Sequence, residues 1–207
     1  MFSFNPPKNF LANKTIMITG ASDGIGKCCA MRFAEYGASL ILLGRSKEKL
    51  EKLYDLIKTV GLGDVVIHPL DFIKAAESDY AEIAKSVGEQ FGNLDGLIHN
   101  AGMLGTLCPI EYYPTETWEQ TFKVNTSAVF LLTKFLLPSL RSSTDARILI
   151  TSSSVGRKGR GNWGAYAVSK FAGEGLMQVL AEELDKTSNI RVNSINPGGI
   201  RSSMRRS

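Results

Sequence analysis

Short apolar runs alternate along the chain with longer stretches of mixed apolar and polar residues. This pattern indicates most of what the sequence says about the fold. The runs are rich in β-branched and aliphatic residues and have the length of buried strands. They predict six strands, at Thr15–Thr19, Ser39–Leu43, Val65–Ile67, Asp95–His99, Arg147–Thr151 and Ile190–Ile195.

The longer stretches between these runs have the spacing of amphipathic helices. In the second of them, Leu50, Leu53 and Ile57 recur at intervals of three and four residues, which places them on one helix face. The same reasoning predicts helices at Ile25–Tyr36, Lys47–Val60, Ala75–Phe91, Thr117–Leu140 and Trp163–Lys186.

Strands separated by helices require crossover connections, which place the strands parallel in one sheet with helices on both faces. Six such strands predict an α/β fold with a doubly wound parallel sheet of the Rossmann type, in the strand order 3-2-1-4-5-6. No internal linker interrupts the pattern, so residues 1–207 are expected to form a single domain.

The composition excludes several classes of protein. Apolar residues make up 43% of the chain and charged residues 21%, as in ordinary globular domains. No apolar stretch approaches the roughly 18 residues of a membrane-spanning helix, and the N-terminus lacks the pattern of a signal peptide. The three cysteines form neither a disulfide framework nor a metal-binding spacing. We therefore expect a cytoplasmic protein with no membrane partner and no bound metal.

The net charge of +4 gives little support for nucleic-acid binding. Arg201, Arg205 and Arg206 lie in the last seven positions, so the basic excess is mostly a property of this tail. A second basic cluster, Arg157–Arg160, is equally consistent with a solvated loop and with a place near cofactor phosphates or substrate. No nucleic-acid partner is expected.

A glycine-rich segment, Thr19–Gly26, joins the first strand to the first helix. Glycines at this place allow a tight turn and a close approach of the backbone to a pyrophosphate, while the helix N-terminus supplies free N–H groups. The position after the first strand of the array predicts a dinucleotide-binding loop. The expected cofactor contacts are Gly20, Ser22, Asp23, Gly24, Ile25 and Gly26.

The end of the second strand indicates which dinucleotide binds. Sites for NAD carry an acidic residue about 20 residues after the glycines, where it binds the ribose hydroxyls. Here the segment reads Leu43-Gly44-Arg45-Ser46 and contains no carboxylate. The planar guanidinium of Arg45 suits bidentate contact with a 2′-phosphate, so the sequence favours NADP(H); the alternative is an ordinary surface arginine.

Tyr166 and Lys170 are four positions apart at the start of a predicted helix and therefore share one face. An ammonium group near a phenol favours the phenolate and lowers the tyrosine pKa from about 10, which suits general acid–base catalysis. The strand ends at His99–Gly102, Thr151–Ser154 and Asn196–Gly199 lie at the carboxyl edge of the predicted sheet. Open α/β sheets bind ligands at this edge, so the motifs converge on one crevice.

These motifs, in this order and spacing, resemble the short-chain dehydrogenase/reductase family of the short single-domain kind. The resemblance extends from about Thr15 to Met204. The matching runs are TGASDGIG at Thr19–Gly26, HNAG at His99–Gly102, VN at Val124–Asn125, the serine-rich strand end, YAVSK at Tyr166–Lys170 and NPGGI at Asn196–Ile200. Several runs, among them ILLGR and NWGAYAVSK, also resemble one bacterial subgroup of uncharacterised oxidoreductases.

The resemblance implies a catalytic tetrad. In the family, the asparagine helps to hold a water molecule of a proton relay, and the serine steadies the substrate oxygen. The tyrosine is the general acid in reduction and the base in oxidation, while the lysine holds the nicotinamide ribose and depresses the tyrosine pKa. The matching residues are Asn125, Ser153, Tyr166 and Lys170, and a spacing of 13 positions before the tyrosine selects Ser153 among three adjacent serines.

The resemblance also implies further cofactor contacts, with adenine, the adenosine ribose and the nicotinamide amide. They are Asp71 at adenine, Asn100 and Gly102 at the ribose, and Ile200 and Ser202 at the amide. Considered alone, Asp71 is equally compatible with a helix N-cap before Phe72, and Asn125 with a polar group that the backbone satisfies.

The chain departs from the family pattern in two places. His99 stands where the family more often has asparagine, and we expect a structural role for it rather than that of a catalytic base. Family members also continue for some tens of residues beyond the NPGGI run, with a substrate-covering segment, a further helix and a seventh strand. The usual seventh strand is missing here, so we expect a C-terminally truncated sequence rather than a naturally short enzyme.

The family commonly pairs through two long helices, which correspond to Thr117–Leu140 and Trp163–Lys186. Apolar residues in these stretches, such as Phe130 and Phe171, are compatible with either the core or an interface. The resemblance therefore implies a homodimer or homotetramer. The apolar loop Met103–Pro114 favours a moderately apolar carbonyl compound as the substrate, whose identity stays open.

Together these observations predict an NADP(H)-dependent oxidoreductase that interconverts a carbonyl and an alcohol by hydride transfer. Two alternatives stay open: a non-catalytic NADP(H)-binding sensor or interaction module on the same fold, and an isomerase or epimerase with a tightly held cofactor. The pairing of Tyr166 with Lys170 argues against the sensor, because a sensor has no need of it.

Overall fold

Six parallel strands form one sheet in the part of the chain that the computed structural model describes, which comprises residues 4, 6–61 and 63–200. Their order is β3-β2-β1-β4-β5-β6, and every neighbouring pair is parallel. The predicted doubly wound Rossmann sheet of strand order 3-2-1-4-5-6 is confirmed. The strands are β1 (Thr15–Thr19), β2 (Ser39–Gly44), β3 (Val65–Pro69), β4 (Gly96–His99), β5 (Ala146–Thr151) and β6 (Ile190–Ile195).

Helices cover both faces of this sheet. They are α1 (Gly24–Glu35), α2 (Lys47–Val60), α3 (Glu77–Phe91), α4 (Thr115–Phe122), α5 (Ala128–Arg141) and α6 (Gly164–Asp185). A π-helical turn at Lys123–Ser127 separates α4 from α5, so the prediction of one uninterrupted helix over Thr117–Leu140 is wrong at this point. Among the described residues, no helix combines the length and apolar composition that crossing a membrane requires.

The two faces of the sheet bury separate sets of side chains, because successive residues of a strand point to opposite faces. On one face, Ile16 and Ile18 of β1 pack with Leu50 of α2 and with alanines of α1. On the other face, Met17 belongs to a larger core that includes Leu132 of α5 and residues of α3 and α6. Every residue of β1 is buried, which explains why the central strands are continuous apolar runs rather than alternating ones.

Part of the surface of α5 and α6 is both apolar and exposed. Phe130 is 50% exposed, Phe171 44% and Val179 53%, so these side chains are not part of the core. Phe135 and Leu176, on the same two helices, pack against the core and are partly buried. Of the two alternatives, core or interface, Phe135 and Leu176 therefore belong to the core. Phe130, Phe171 and Val179 stay exposed and are compatible with an interface.

Asp95 is a buried carboxylate at the amino edge of the sheet, where it joins three segments of the chain. Its Oδ1 accepts hydrogen bonds from Lys14 Nζ at 3.1 Å and Ser143 Oγ at 2.7 Å. Its Oδ2 accepts from Thr15 N at 2.9 Å and Asn93 Nδ2 at 3.1 Å. Burial by itself raises the pKa of Asp95, but these hydrogen bonds and the charge of Lys14 outweigh it and lower the pKa.

We expect the substitution Asp95→Asn to lower the free energy of unfolding by about 1–3 kcal/mol at pH 7, because buried donors lose a charged acceptor. A carboxylate with a lowered folded-state pKa contributes stability above its unfolded pKa of about 3.9 and loses it as the pH falls further. Urea unfolding at pH 7 and at pH 3 measures both effects, and the difference between wild type and variant shrinks at pH 3.

The matched control for this prediction is Glu89→Gln, which removes an exposed ion pair with Lys85 on α3. It is expected to change the unfolding free energy by no more than about 0.5 kcal/mol. Equal stabilities of wild type and Asp95→Asn at pH 7 would contradict the assigned role of Asp95.

Candidate active site

The glycine-rich segment after β1 leaves no space for side chains at two positions. Gly20 has a φ of +64°, and a Cβ there would lie 2.9 Å from Ala101 Cα. A Cβ on Gly26 would overlap the carbonyl oxygen of Gly20 and stand 2.7 Å from Asn100 Nδ2. The segment therefore exposes backbone rather than side chains next to the N-terminus of α1, which is what a pyrophosphate-binding loop requires.

Asn100 braces this segment from the end of β4. Its Nδ2 donates to Thr19 O at 3.2 Å and to Gly20 O at 3.3 Å. In return, Thr19 Oγ1 accepts from the backbone N–H groups of Asn100 and Ala101, each at 3.0 Å. The structure thus gives Asn100 a clear role in shaping the glycine segment, and its expected contact with the adenosine ribose stays a prediction, as does that of the half-buried Gly102.

Polar side chains of the glycine-rich segment lie next to the end of β2. Asp23 caps α1 by accepting from Gly24 N at 2.6 Å, and its other oxygen is 3.6 Å from Lys49 Nζ. A Cβ on Gly44 would stand 3.2 Å from Ser22 Oγ, so the glycine segment and the end of β2 are in contact. Arg45 follows Gly44 directly, and its side chain is exposed.

Asn125 is buried in the π-helical turn, and its side chain makes three hydrogen bonds. Its Oδ1 accepts from Met103 N at 2.7 Å, while its Nδ2 donates to Met103 O at 2.9 Å and to Ser169 Oγ at 2.9 Å. Ser169 Oγ donates in turn to Tyr166 O at 2.8 Å. The amide therefore joins the loop after β4 to the first turns of α6, and a π turn is a common way to direct a functional residue inward.

Lys170 is buried one helical turn beyond Tyr166. Its Nζ donates to Thr151 O at 2.7 Å and lies 5.6 Å from the centroid of the Tyr166 ring. Burial lowers the pKa of Lys170 to about 8. Tyr166 is half-buried, and its ring centroid is 5.9 Å from that of Trp163.

Ser153 lies between the end of β5 and a short 3-10 turn, Ser154–Gly156. Its backbone is extended, its residue is half-buried, and its side chain makes no capping bond to the turn. The adjacent Ser152 is buried and Ser154 is exposed, so the three serines differ in accessibility. The structure thus brings Asn125, Ser153, Tyr166 and Lys170 of the sequence analysis to the same end of the sheet.

A small cavity lies behind Lys170 and Asn125 and also contacts Ser152, Ser169 and His99. Its volume of about 10 Å³ is close to the minimum that one water molecule needs. Lined by these polar groups, it is a suitable place for an ordered water.

His99 has a structural role, as the sequence analysis expects. Its Nε2 is 2.9 Å from Thr133 Oγ1, which donates its own proton to Val129 O at 2.8 Å. The hydroxyl can therefore only accept from the ring, so Nε2 carries the imidazole proton. Burial lowers the pKa of His99 to about 3, and the ring stays neutral at physiological pH.

The remaining predicted contacts have simpler surroundings. Asp71 Oδ1 accepts from Ile73 N at 3.1 Å in the turn after β3, and α3 begins only at Glu77, so the alternative of a helix N-cap before Phe72 is wrong. Ile200 is exposed, and Ser202 lies outside the described residues, as do Arg201, Arg205 and Arg206. Within the described chain, no cluster of His, Cys, Asp and Glu side chains is able to hold a metal.

Sequence reasoning missed two residues of the site, Thr19 and Ser169. Both belong to runs that the motif analysis quoted, but their contacts cross between distant segments. Thr19 bonds Asn100 from 81 positions away, and Ser169 bonds Asn125 from 44 positions away. Their position inside these motifs was the only feature of the sequence that could have indicated a place in the site.

The chain resembles proteins that are described as short chain dehydrogenases. The family model of that description matches residues 14–207. An Escherichia coli (strain K12) protein, the uncharacterized oxidoreductase YciK, is 45% identical over 204 residues, which are 99% of this chain and 80% of that protein.

Two similar solved structures of short chain dehydrogenases contain a bound nicotinamide dinucleotide. One from Shigella flexneri 2a, complexed with NADP, has a TM-score of 0.93 and 44% identity, and the match covers 96% of this chain and 82% of that chain. One from Escherichia coli CFT073, complexed with NADPH, has a TM-score of 0.91 and 46% identity and covers 97% of this chain and 82% of that chain.

Proposed function

The chain belongs to the short chain dehydrogenase family, and we propose that it interconverts a carbonyl and an alcohol by hydride transfer with NADP(H) as its cofactor. The observation that carries this proposal is the buried Lys170 ammonium beside Tyr166 on α6, at the carboxyl end of β5. A buried cation next to a phenol is an arrangement for proton transfer and has no evident use in a purely structural helix.

The chain's own residues fit NADP(H). The segment at Gly20 and Gly26 leaves backbone exposed at the N-terminus of α1, where a pyrophosphate finds free N–H groups. The end of β2 carries the exposed Arg45 in place of a carboxylate, which suits a 2′-phosphate. Complexes of related proteins with NADP and NADPH agree with this choice. When bound, the cofactor supplies or accepts the hydride.

Tyr166 transfers the proton to the substrate oxygen in reduction and removes it in oxidation. The Lys170 ammonium stabilises the phenolate that forms when the proton leaves, because an opposite charge nearby favours the ionised form. With a pKa of about 8, Lys170 is mostly cationic at neutral pH. Ser153 donates a hydrogen bond to the same substrate oxygen, where negative charge develops during reduction.

Asn125 contributes through its position. Its amide bonds Met103 and Ser169, so it holds the start of the Met103–Pro114 loop against α6. It also forms one wall of the cavity behind Lys170, which suits a water of a proton relay. Residues 1–207 then act as one NADP(H)-binding domain, which takes a small-molecule carbonyl or alcohol in the cytoplasm.

We expect reduction to depend on Tyr166. In an assay of NADPH oxidation with a panel of ketones and aldehydes, Tyr166→Phe should lower kcat by about 10²- to 10⁴-fold while NADPH binding persists. The wild-type rate of reduction should fall as the pH rises through about 8, because Lys170 loses its charge there.

Tyr36→Phe is the matched control, since Tyr36 caps the C-terminus of α1, at the edge of the sheet opposite to the candidate site. Its rate should stay within about twofold of the wild type, as for a surface substitution. A Tyr166→Phe enzyme as fast as the control would contradict the role of Tyr166. Cofactor binding with no turnover of any carbonyl or alcohol would favour the non-catalytic sensor.

We expect Arg45 to select the cofactor. In a fluorescence titration, the wild type should bind NADPH more tightly than NADH. Arg45→Ala should weaken NADPH binding by about 10- to 100-fold, the loss of a charge-assisted contact, and leave NADH binding unchanged. Arg32→Ala, an exposed arginine on α1, is the control. Equal binding of NADH and NADPH by the wild type would refute the role of Arg45 and leave the family membership standing.

The exposed apolar faces of α5 and α6 support a homo-oligomer. Phe130, Phe171 and Val179 are each 44% exposed or more, although side chains of this kind are usually buried. We expect light scattering to give at least twice the monomer mass, and Phe130→Glu with Phe171→Glu to shift it to the monomer. A monomeric wild type would contradict this assembly.

A further inference from the structure

Glu174 is a buried carboxylate that the proposed reaction does not use. It lies on α6 one turn beyond Lys170, so Tyr166, Lys170 and Glu174 follow one another at intervals of four residues along one face of the helix. The Glu174 side chain is only 11% exposed. A buried carboxylate is costly unless it is paired and hydrogen-bonded, so its partners indicate what it does.

Arg157 and Ser194 bring side chains from other segments to this carboxylate. Arg157 Nε donates to Glu174 Oε1 at 3.1 Å, and Ser194 Oγ donates to Glu174 Oε2 at 2.9 Å. Arg157 Nη2 also donates to Ser194 Oγ at 3.3 Å. Burial by itself raises the pKa of Glu174, but hydrogen bonds with Ser152, Ser194 and Arg157 and the charge of Arg157 outweigh it and lower the pKa, so the group stays ionised.

The segment that leads to Arg157 is also held against Lys170, at two points. At its start, Lys170 Nζ donates to Thr151 O at 2.7 Å. At its end, Gly156 lies directly on the helix, because a Cβ there would stand 2.8 Å from Lys170 Cβ. Ser153 lies between these two points and has no capping bond that fixes its side chain. The position of its hydroxyl therefore follows from the path of this short segment.

We propose that Glu174 and Arg157 form a positioning pair, which holds the segment that carries Ser153 at a fixed distance from Tyr166. The inference rests on the proposed function, in which Ser153 and Tyr166 contact the same substrate oxygen. The pair supplies a polar anchor just beyond Gly156, in addition to the close contact of Gly156 with Lys170. Neither residue touches the reacting atoms.

The first test separates positioning from stability. Glu174→Gln keeps the size of the side chain and removes its charge. It should lower kcat of carbonyl reduction by about 10- to 100-fold, as expected when a catalytic group is displaced by a fraction of an ångström to an ångström. The Kd for NADPH should stay within about twofold, because the pair does not hold the glycine segment. Arg157→Gln should do the same, and Arg157→Lys should restore part of the rate.

The second test asks whether the effect passes through Ser153. In a Ser153→Ala background, Glu174→Gln should lower kcat by no more than about twofold further, since residues that act as a unit are not additive. Lys158→Gln, an exposed neighbour of Arg157, is the control and should leave kcat unchanged. A full additional loss in the Ser153→Ala background, or a lowered melting temperature with unchanged kcat, would overturn the proposal.

Hydrogen exchange provides a readout that does not need a substrate. The amides of Gly156 and Lys158 donate to Ser153 O at 3.0 Å and to Ser154 O at 3.2 Å, so their exchange reports on this turn. Glu174→Gln should speed their exchange at least about tenfold and leave the amides of α5 unchanged. Unchanged exchange overturns the pair as an anchor. A wild type without turnover refutes the proposed function, and the exchange result still decides whether the pair holds the turn.

Discussion

The burial of the Lys170 ammonium is the constraint on which the rest of the candidate site depends. Burial disfavours the charged form and lowers the pKa of Lys170 to about 8. Compared with an ordinary lysine near 10.4, this corresponds to a loss on the order of 3 kcal/mol in folding free energy while the lysine is charged. Because the folded-state pKa is the lower one, the loss is present below pH about 8 and disappears as the pH rises from there to about 10.4. Strongly perturbed pKa values cluster at functional sites, which agrees with the role that we propose for Lys170.

Two amide side chains of the candidate site are held in place mainly by main-chain atoms. Asn125 binds both the N–H and the C=O of Met103, and Asn100 binds the carbonyls of Thr19 and Gly20. Each amide therefore determines the shape of a loop more than it offers a free group to a ligand. Loops that are braced in this way favour a preorganised site, which is the condition for effective electrostatic stabilisation.

The fold was predictable from the sequence to a large extent, and the reasons differ between elements. The bounds of α2 agree with the prediction because Ser46 caps its start and its apolar residues keep one helical period. The interruption of the helix around Asn125 was not predictable, since the π turn is linked to hydrogen bonds with Met103, 22 positions away. Within the site, local spacing was sufficient to pair Tyr166 with Lys170, which are neighbours on one helix.

Partners that lie far apart in the sequence were beyond such reasoning. Arg157 and Ser194 meet at Glu174 from segments on either side of α6, and no periodicity in the sequence marks their meeting. The sequence left two interpretations open for the cluster that contains Arg157, and neither included the ion pair that its guanidinium forms with Glu174 while the Arg157 side chain stays 56% exposed. Tertiary contacts of this kind depend on how the strands are ordered in the sheet, so they become visible only after the topology is known.

The buried charges of this fold separate into two kinds according to the direction in which their pKa is shifted. Asp95 at the amino edge and Glu174 beside the turn are buried, yet hydrogen bonds and ion pairs hold their pKa values low, so the folded chain favours their charged forms. Lys170 at the carboxyl edge is shifted the other way, and its charged form is disfavoured despite the bond to Thr151. The first kind stabilises the fold, whereas the second gains from any ligand that brings hydroxyl groups or negative charge to it. The carboxyl edge is therefore the place where binding and proton transfer are expected, for an electrostatic reason that is independent of any sequence motif.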